Sequence, residues 1–345
     1  MSEVKPTLSR EDIVRLCERV EGAQRRACAI PKLTDEYPAM SIADGYAVQS
    51  ELRRRLIAQG HRLIGWKAGL TSKAKMVQMG VSVPSIGFLT DRMARPENSA
   101  ISTSDLVHPR VECEVAFVMK KALHGPGCTR HDVLTATDYV LPAVEIIDSR
   151  FAGFKFDLPS VVADNGSSAR FVAGGRARYV DELDLRTLGV VMEKNGEIVA
   201  LGAAAAVLGH PAEAIAMLVN ILAELGEHLP AGSFVMSGGI TEAIAVKPGD
   251  CVTARFQELG SVSMRFVDSE PAMPIIEMHL MTGRSVEQKR NVAGAVALAV
   301  QESLGVKPES IRILITEHGA EEFSVAGVTA GERNEQAAQA AAPKG

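Results

Sequence analysis

Arg110-Val111-Glu112-Cys113-Glu114-Val115-Ala116-Phe117 is the stretch from which the rest of the chain is read. Val111, Cys113, Val115 and Phe117 alternate with a second set of positions, the period of a β-strand. Glu112 and Glu114 belong to that second set, so two carboxylates share one face about 7 Å apart along the strand. Two hard oxygen ligands on a rigid element are half of a magnesium-type site. The same pattern also describes a solvated strand face, and the stretch alone leaves both readings open.

Outward from it, Tyr139 to Asp148 is a second apolar run with Glu145 set between Val144 and Ile146. A carboxylate inside such a run must be paired, protonated or bound to a metal, because an isolated buried charge is too costly. Glu145 is therefore either a third ligand or the partner of a base such as Arg150. Upstream, Lys67 sits between Gly65 and Gly69 beside the only tryptophan, Trp66. In a pocket such a lysine serves as an acid or anion ligand; the alternative is a surface lysine at a strand end. The turn Asp164-Asn165-Gly166-Ser167-Ser168 is rich in short hydrogen-bonding groups. Asp164, Asn165 and Ser168 suit the binding of a substrate carboxylate or enol oxygen, or else only cap the turn.

The totals narrow the classes. The chain has 345 residues, enough for two domains, with 46% hydrophobic and 23% charged residues, an ordinary globular balance. A net charge of -5 and no Lys/Arg-rich run give no case for nucleic acid. No uninterrupted apolar stretch approaches the roughly 18 residues that would span a membrane, and the first residues lack a signal-peptide core. Five scattered cysteines without a CxxC pair point to reduced thiols and a cytoplasmic protein.

Helical spacing is expected over residues 10–28, and again from a cap at Ser41 to a stop at Gly60. Pro84-Ser85-Ile86-Gly87-Phe88-Leu89 reads as a loop or lid. Short strands and glycine turns fill the remainder to residue 267, with one helix near Pro211–Leu225. A linker then spans 268–273 and a small module 274–333. Pro274–Leu280 is a strand, Ser285 and Gln288 form a capping box for a helix, and Ser310–Glu317 is a second, parallel strand. One helix cannot cover both faces of such a sheet, so the module is expected to associate with copies of itself as a homo-oligomer. Residues 334–345 are expected to be a disordered tail. The class is α+β.

Four segments, Gly65-Trp66-Lys67-Ala68-Gly69, Arg110-Val111-Glu112-Cys113-Glu114, Pro142-Ala143-Val144-Glu145-Ile146 and Ala163-Asp164-Asn165-Gly166-Ser167-Ser168, occur in an order that resembles the fumarylacetoacetate hydrolase-like superfamily. The match is to its hydratase/decarboxylase branch, which acts on 2-oxo acids. The resemblance implies a rolled, mostly β core with peripheral helices, Glu112, Glu114 and Glu145 as ligands of Mg²⁺ or Mn²⁺, and Lys67 as a catalytic residue. It implies decarboxylation of the 2-oxo dicarboxylate 2-oxo-3-hexenedioate to 2-hydroxypenta-2,4-dienoate and CO₂ in meta-cleavage breakdown of aromatic compounds. Hydration of 2-hydroxypenta-2,4-dienoate is the alternative. Hydratases of the branch carry an aspartate in a Pro-Asp-x-Gly segment where this chain has Ser85, which favours decarboxylation. A downstream hydratase is a partner by analogy.

Residues 274–333 resemble the 4-oxalocrotonate tautomerase family. That resemblance implies Pro274 as base, Arg284 and Arg312 gripping substrate carboxylates and Phe323 closing the pocket. The family's proline is amino-terminal, whereas Pro274 is acylated by Met273, and an amide nitrogen holds no proton near neutral pH. The module is then either an assembly scaffold or a tautomerase released by cleavage after Met273.

Overall fold

In the computed structural model, which describes residues 6–72, 84–268, 274–304, 306 and 308–341, the opening stretch lies in the strand Pro109–Met119. Val111, Cys113, Val115 and Phe117 are fully buried on one face, as their alternation requires. The strand pairs antiparallel with Thr137–Asp148, and this ladder is the spine of an eight-stranded sheet. Its order runs Ser85–Thr90, Leu63–Gly69, Phe234–Met236, Pro109–Met119, Thr137–Asp148, Ser168–Ala173 and Ala94–Arg95, with Ile244–Ala245 also paired to the central strand. A five-stranded sheet runs Ala100–Ser102, Gly260–Val267, Cys251–Phe256, Gly189–Lys194 and Glu197–Ala203.

Helices Arg10–Arg25 and Ile42–Ala58 form where the apolar spacing places them. Ser41 and Asp44 make a reciprocal capping box, and the Asp44 carboxylate also accepts from the Thr7 and Leu8 N–H groups at 2.7 and 2.9 Å. Helix Pro211–Glu224 is sunk in the core, with Ile215, Leu218, Val219 and Leu222 at 0% exposure. Residues 204–224 are long and apolar enough to cross a membrane by length and composition alone, with a mean hydropathy of 1.5, but half of that window is buried. This is the pattern of a core helix.

The expectation of a loop or lid at Pro84–Leu89 is corrected. Ser85–Thr90 is a strand with every residue buried, paired antiparallel with Leu63–Gly69 so that Gly87 lies opposite Lys67. Gly87 marks a close approach here: a Cβ on it would stand 2.8 Å from the Asn165 carbonyl oxygen and 3.1 Å from Lys67 Cγ.

The chain divides into two compact units between Asp268 and Ser269; the expected linker residues 269–273 lie outside the described residues. In the second unit Ile275–Met281 pairs in parallel with Arg312–His318 through the helix Val286–Leu304. Ser285 accepts from the Gln288 N–H and Gln288 returns the bond to the Ser285 N–H, the capping box its spacing predicts. The expectation of a disordered tail from 334 is corrected as far as Ala341, because Ala330–Ala341 is a helix. Thr329 and Glu332 cap it reciprocally, and Ala, Glu, Gln and Arg are strong helix formers. Residues 342–345 lie outside the described residues.

Candidate metal centre and active site

Glu112 and Glu145 are register partners across the central ladder, and Glu114 stands two residues along its strand opposite Ala143. Cross-strand partners share a face. The three carboxylates are buried, with one oxygen of each within 4.8 Å of the others. A pairing of Glu145 with Arg150 is not what the fold supplies. Its cation is Lys67, whose Nζ donates to the two Glu145 oxygens at 2.6 and 2.8 Å and to the Gly166 carbonyl at 3.0 Å.

Lys67 reaches the carboxylates because Phe234–Met236 is inserted between its strand and the central one, with Lys67 opposite Met236 and Met236 opposite Ala116. Its long stem then crosses the sheet face at 3% exposure, so it is no surface lysine. Trp66, on the opposite face of the strand, is stacked under Arg53 at 4.9 Å.

Glu114 is fully buried. Oε2 accepts from the Gly238 N–H at 2.7 Å, and Oε1 has no hydrogen-bond partner among the described residues. Gly238 can present that N–H only as glycine: its φ is 104°, and a Cβ would meet Thr71 Oγ1 at 2.1 Å. Burial first, then the Glu145 charge, push the Glu114 carboxyl well above the usual carboxylate range, against the pull of Lys67. A buried, donorless carboxylate oxygen beside two further carboxylates is a hard-oxygen set, and it fits Mg²⁺ or Mn²⁺.

The cluster opens into a cavity of about 550 Å³, the size of a small-molecule site. Its walls are Ile147, Phe154, Phe156 and Val161 on the apolar side and Thr71, Ser85 and Thr241 on the polar side. Arg110 also lines it, in phase with Glu112 on the same strand face. Its guanidinium lies 4.1 Å from the Phe154 ring centroid and has no carboxylate partner among the described residues. Arg110 alternates with Glu112 and Glu114 in the sequence, so its place on the cavity face is legible there although its role is not. Phe154 and Phe156 carry no periodic signal.

Asp164, Asn165 and Ser168 do not line the cavity; Gly166 and Ser167 of that turn do. The structure does not bring these three side chains to the cavity, where contact with substrate was expected. Asp164 is paired with the fully buried Arg150 and accepts from Ser167 Oγ at 3.2 Å. Burial pushes its carboxyl up to about 6 against the pull of Arg150. The Asn165 amide clamps the Phe88 N–H and carbonyl at 2.8 and 3.0 Å. Ser168 opens the strand Ser168–Ala173 with its hydroxyl buried. The turn builds the wall behind Lys67.

In the second unit Pro274 and Arg312 meet at one end of the sheet, the Arg312 N–H donating to the Pro274 carbonyl at 2.9 Å. Arg284 follows the far end of the seven-residue strand, about 20 Å away along it. Phe323 is 49% exposed. One copy of the unit therefore does not bring Pro274 and Arg284 together.

A family model of fumarylacetoacetate (FAA) hydrolase C-terminal matches residues 65–267, and one of tautomerase enzyme matches 274–333. The chain is 58% identical over 261 residues to 4-oxalocrotonate decarboxylase of Pseudomonas sp. (strain CF600), covering 76% of this chain and 99% of that protein. It is 40% identical over 258 residues to 2-oxo-hept-4-ene-1,7-dioate hydratase of Escherichia coli, covering 73% and 97%. The solved 4-oxalocrotonate decarboxylase from Pseudomonas putida G7, complexed with magnesium and adipate, superposes with a TM-score of 0.75 at 56% identity, covering 76% of this chain and 99% of that one. The chain belongs to the fumarylacetoacetate hydrolase family and carries a tautomerase-family unit after it.

Proposed function

We propose that the chain is a metal-dependent carboxy-lyase that converts 2-oxo-3-hexenedioate to 2-hydroxypenta-2,4-dienoate and CO₂ in the meta-cleavage breakdown of aromatic compounds. The observation that carries the reading is the buried Glu112, Glu114 and Glu145 cluster, with Lys67 on Glu145 and Arg110 on the same cavity. Glu112, Glu114 and Glu145 would hold Mg²⁺ or Mn²⁺, which when bound supplies Lewis acidity toward a 2-oxo acid.

The chain's own residues do the rest. Arg110, backed by Phe154, receives a carboxylate of the dianionic substrate. Ile147, Phe156 and Val161 give the cavity an apolar side, and a carboxylate placed there would be desolvated, which favours its departure as neutral CO₂. The C5–C6 bond breaks, and its electron pair becomes the C4–C5 double bond. The former C3–C4 double bond shifts to C2–C3, and the ketone oxygen takes a proton. Lys67, which lines the cavity, is the residue that would deliver that proton once one of its donors is free.

Hydration of 2-hydroxypenta-2,4-dienoate is the second reading, supported by the hydratases among the relatives. Ser85, a cavity residue at the position of the branch hydratases' aspartate, speaks against it. Metal-stripped protein is incubated with 2-oxo-3-hexenedioate with and without Mg²⁺, following CO₂ and dienol absorbance together. Metal-dependent CO₂ release that disappears in Glu112→Gln is expected. Metal-dependent hydration of the dienoate without CO₂ hands the assignment to the second reading.

Five free cysteines fit a reducing compartment, hence a cytoplasmic enzyme. The separation of Pro274 from Arg284 within one copy supports assembly of the tautomerase-family unit with other copies. With Pro274 acylated, that unit serves assembly, or becomes a tautomerase on cleavage after Met273. Intact mass of the purified protein, with an assay on 2-hydroxymuconate, separates these: an inactive full-length species leaves the scaffold. Docking of a dienoate hydratase, the consumer of the product, is tested by co-purification.

A further inference from the structure

Lys67 has three N–H donors, and all three are taken, two by Glu145 and one by the Gly166 carbonyl. It lines the cavity yet has no donor left for a substrate oxygen. Glu145, conversely, has both oxygens on the ammonium while standing in the cluster arranged to hold a cation. One carboxylate is claimed twice.

We propose that Lys67 competes with the metal for Glu145: it occupies the carboxylate in the metal-free protein, weakens metal binding, and gains a free donor for substrate when the metal claims a Glu145 oxygen. The inference rests on the metal-site reading above and adds an order of events to it. Loading switches the lysine from counter-ion to substrate-facing donor.

Two effects of Lys67 on the metal oppose each other. The salt bridge holds Glu145 in place, which would favour binding, and its charge repels a cation. The ladder decides between them. Glu145 lies opposite Glu112 on one side and Phe171 on the other, between Val144 and Ile146 at 0% exposure. The ladder fixes where this side chain leaves the sheet and onto which face, without help from the lysine. Charge repulsion is left, and it acts between groups buried from solvent, where charges are screened less than in water.

The test measures Mn²⁺ affinity of the full chain at one fixed pH by titration calorimetry, in wild type, Lys67→Met and Lys67→Gln. Both variants are expected to bind Mn²⁺ about tenfold or more tighter than wild type. They are also expected to gain more melting temperature on loading, since tighter binding stabilises more. If a variant folds only when loaded, the rate at which a chelator strips its Mn²⁺ replaces the isotherm, and slower release is expected. Affinity equal to or weaker than wild type in either variant overturns the competition, because a lysine that merely props up Glu145 predicts that direction. A wild-type chain that binds no Mn²⁺ overturns the metal reading itself, and the inference with it.

Discussion

Glu114→Gln should make the metal-free protein more stable while disabling it. The substitution keeps the shape, and its amide oxygen still accepts from the Gly238 N–H, now seen at 2.7 Å. What changes is charge. Glu114 is fully buried beside Glu112 and Glu145, with oxygens within 4.8 Å, and Oε1 has no donor among the described residues. At an effective dielectric constant of 20, one like-charge contact at that range would cost an ionised Glu114 about 3 kcal/mol, to which burial of the ion adds. Its raised carboxyl escapes part of this by holding a proton, which itself costs stability near neutrality. Attraction to Lys67 offsets part of it. A net gain of about 2 kcal/mol remains, or about 4–8 °C in melting temperature for a unit of this size. The same change removes one charged ligand and should weaken Mn²⁺ binding about 100-fold or more. Scanning calorimetry in chelator reads the first quantity and titration calorimetry the second. A chelated variant that melts below wild type, or one that binds Mn²⁺ equally well, refutes the account of this carboxylate as strained in favour of the ion.

Three further outcomes are expected. Arg110→Gln should raise KM for 2-oxo-3-hexenedioate about 10–100-fold, the worth of a charge-assisted bond, with little change in melting temperature because among the described residues its guanidinium meets one ring face and no carboxylate; steady-state kinetics beside a thermal melt check this. Gly87→Ala places a methyl 2.8 Å from the Asn165 carbonyl and 3.1 Å from Lys67 Cγ, so it should cost about 1–3 kcal/mol and lower kcat more than it raises KM; urea unfolding and kinetics read the two parts. For Asp44, burial raises the carboxyl, but bonds from Leu8, Ser41 and Thr7 outweigh it and hold the group at about 2, below its ordinary 3.8. A depressed carboxyl contributes stability above its unfolded value and loses it as pH falls through the folded one. The difference between wild type and Asp44→Asn should therefore be about 2 kcal/mol near neutrality from this linkage and shrink between about pH 4 and pH 2, as equilibrium unfolding in that window would show.

How much of this was legible in the sequence depends on which kind of fact is asked for. Facing is a local property. The period of two put Glu112 and Glu114 on one side of a strand, with Arg110 in phase though not singled out, and Glu145 inside an apolar run had to be paired, protonated or bound to a metal. Partnership is not local. That Lys67 and not Arg150 answers Glu145 follows from Phe234–Met236 lying between two strands that are remote from it in the chain, and no spacing announces that insertion. The turn at Asp164–Ser168 failed for a related reason. Short polar side chains that bind a ligand and those that clamp a wall look alike until the neighbours, Arg150 and Phe88, are in place. Pro84 and Gly87 misled differently: breakers signalled a loop, but a glycine that must clear the Asn165 carbonyl belongs to a packed strand. The C-terminal helix needed no distant partner, and the Thr329–Glu332 box was there to be read. The residues that sequence reasoning mislaid around the cavity share one trait. Each is fixed by a contact between segments distant in the chain, and so is the Lys67–Glu145 pair on which the order of metal and substrate depends.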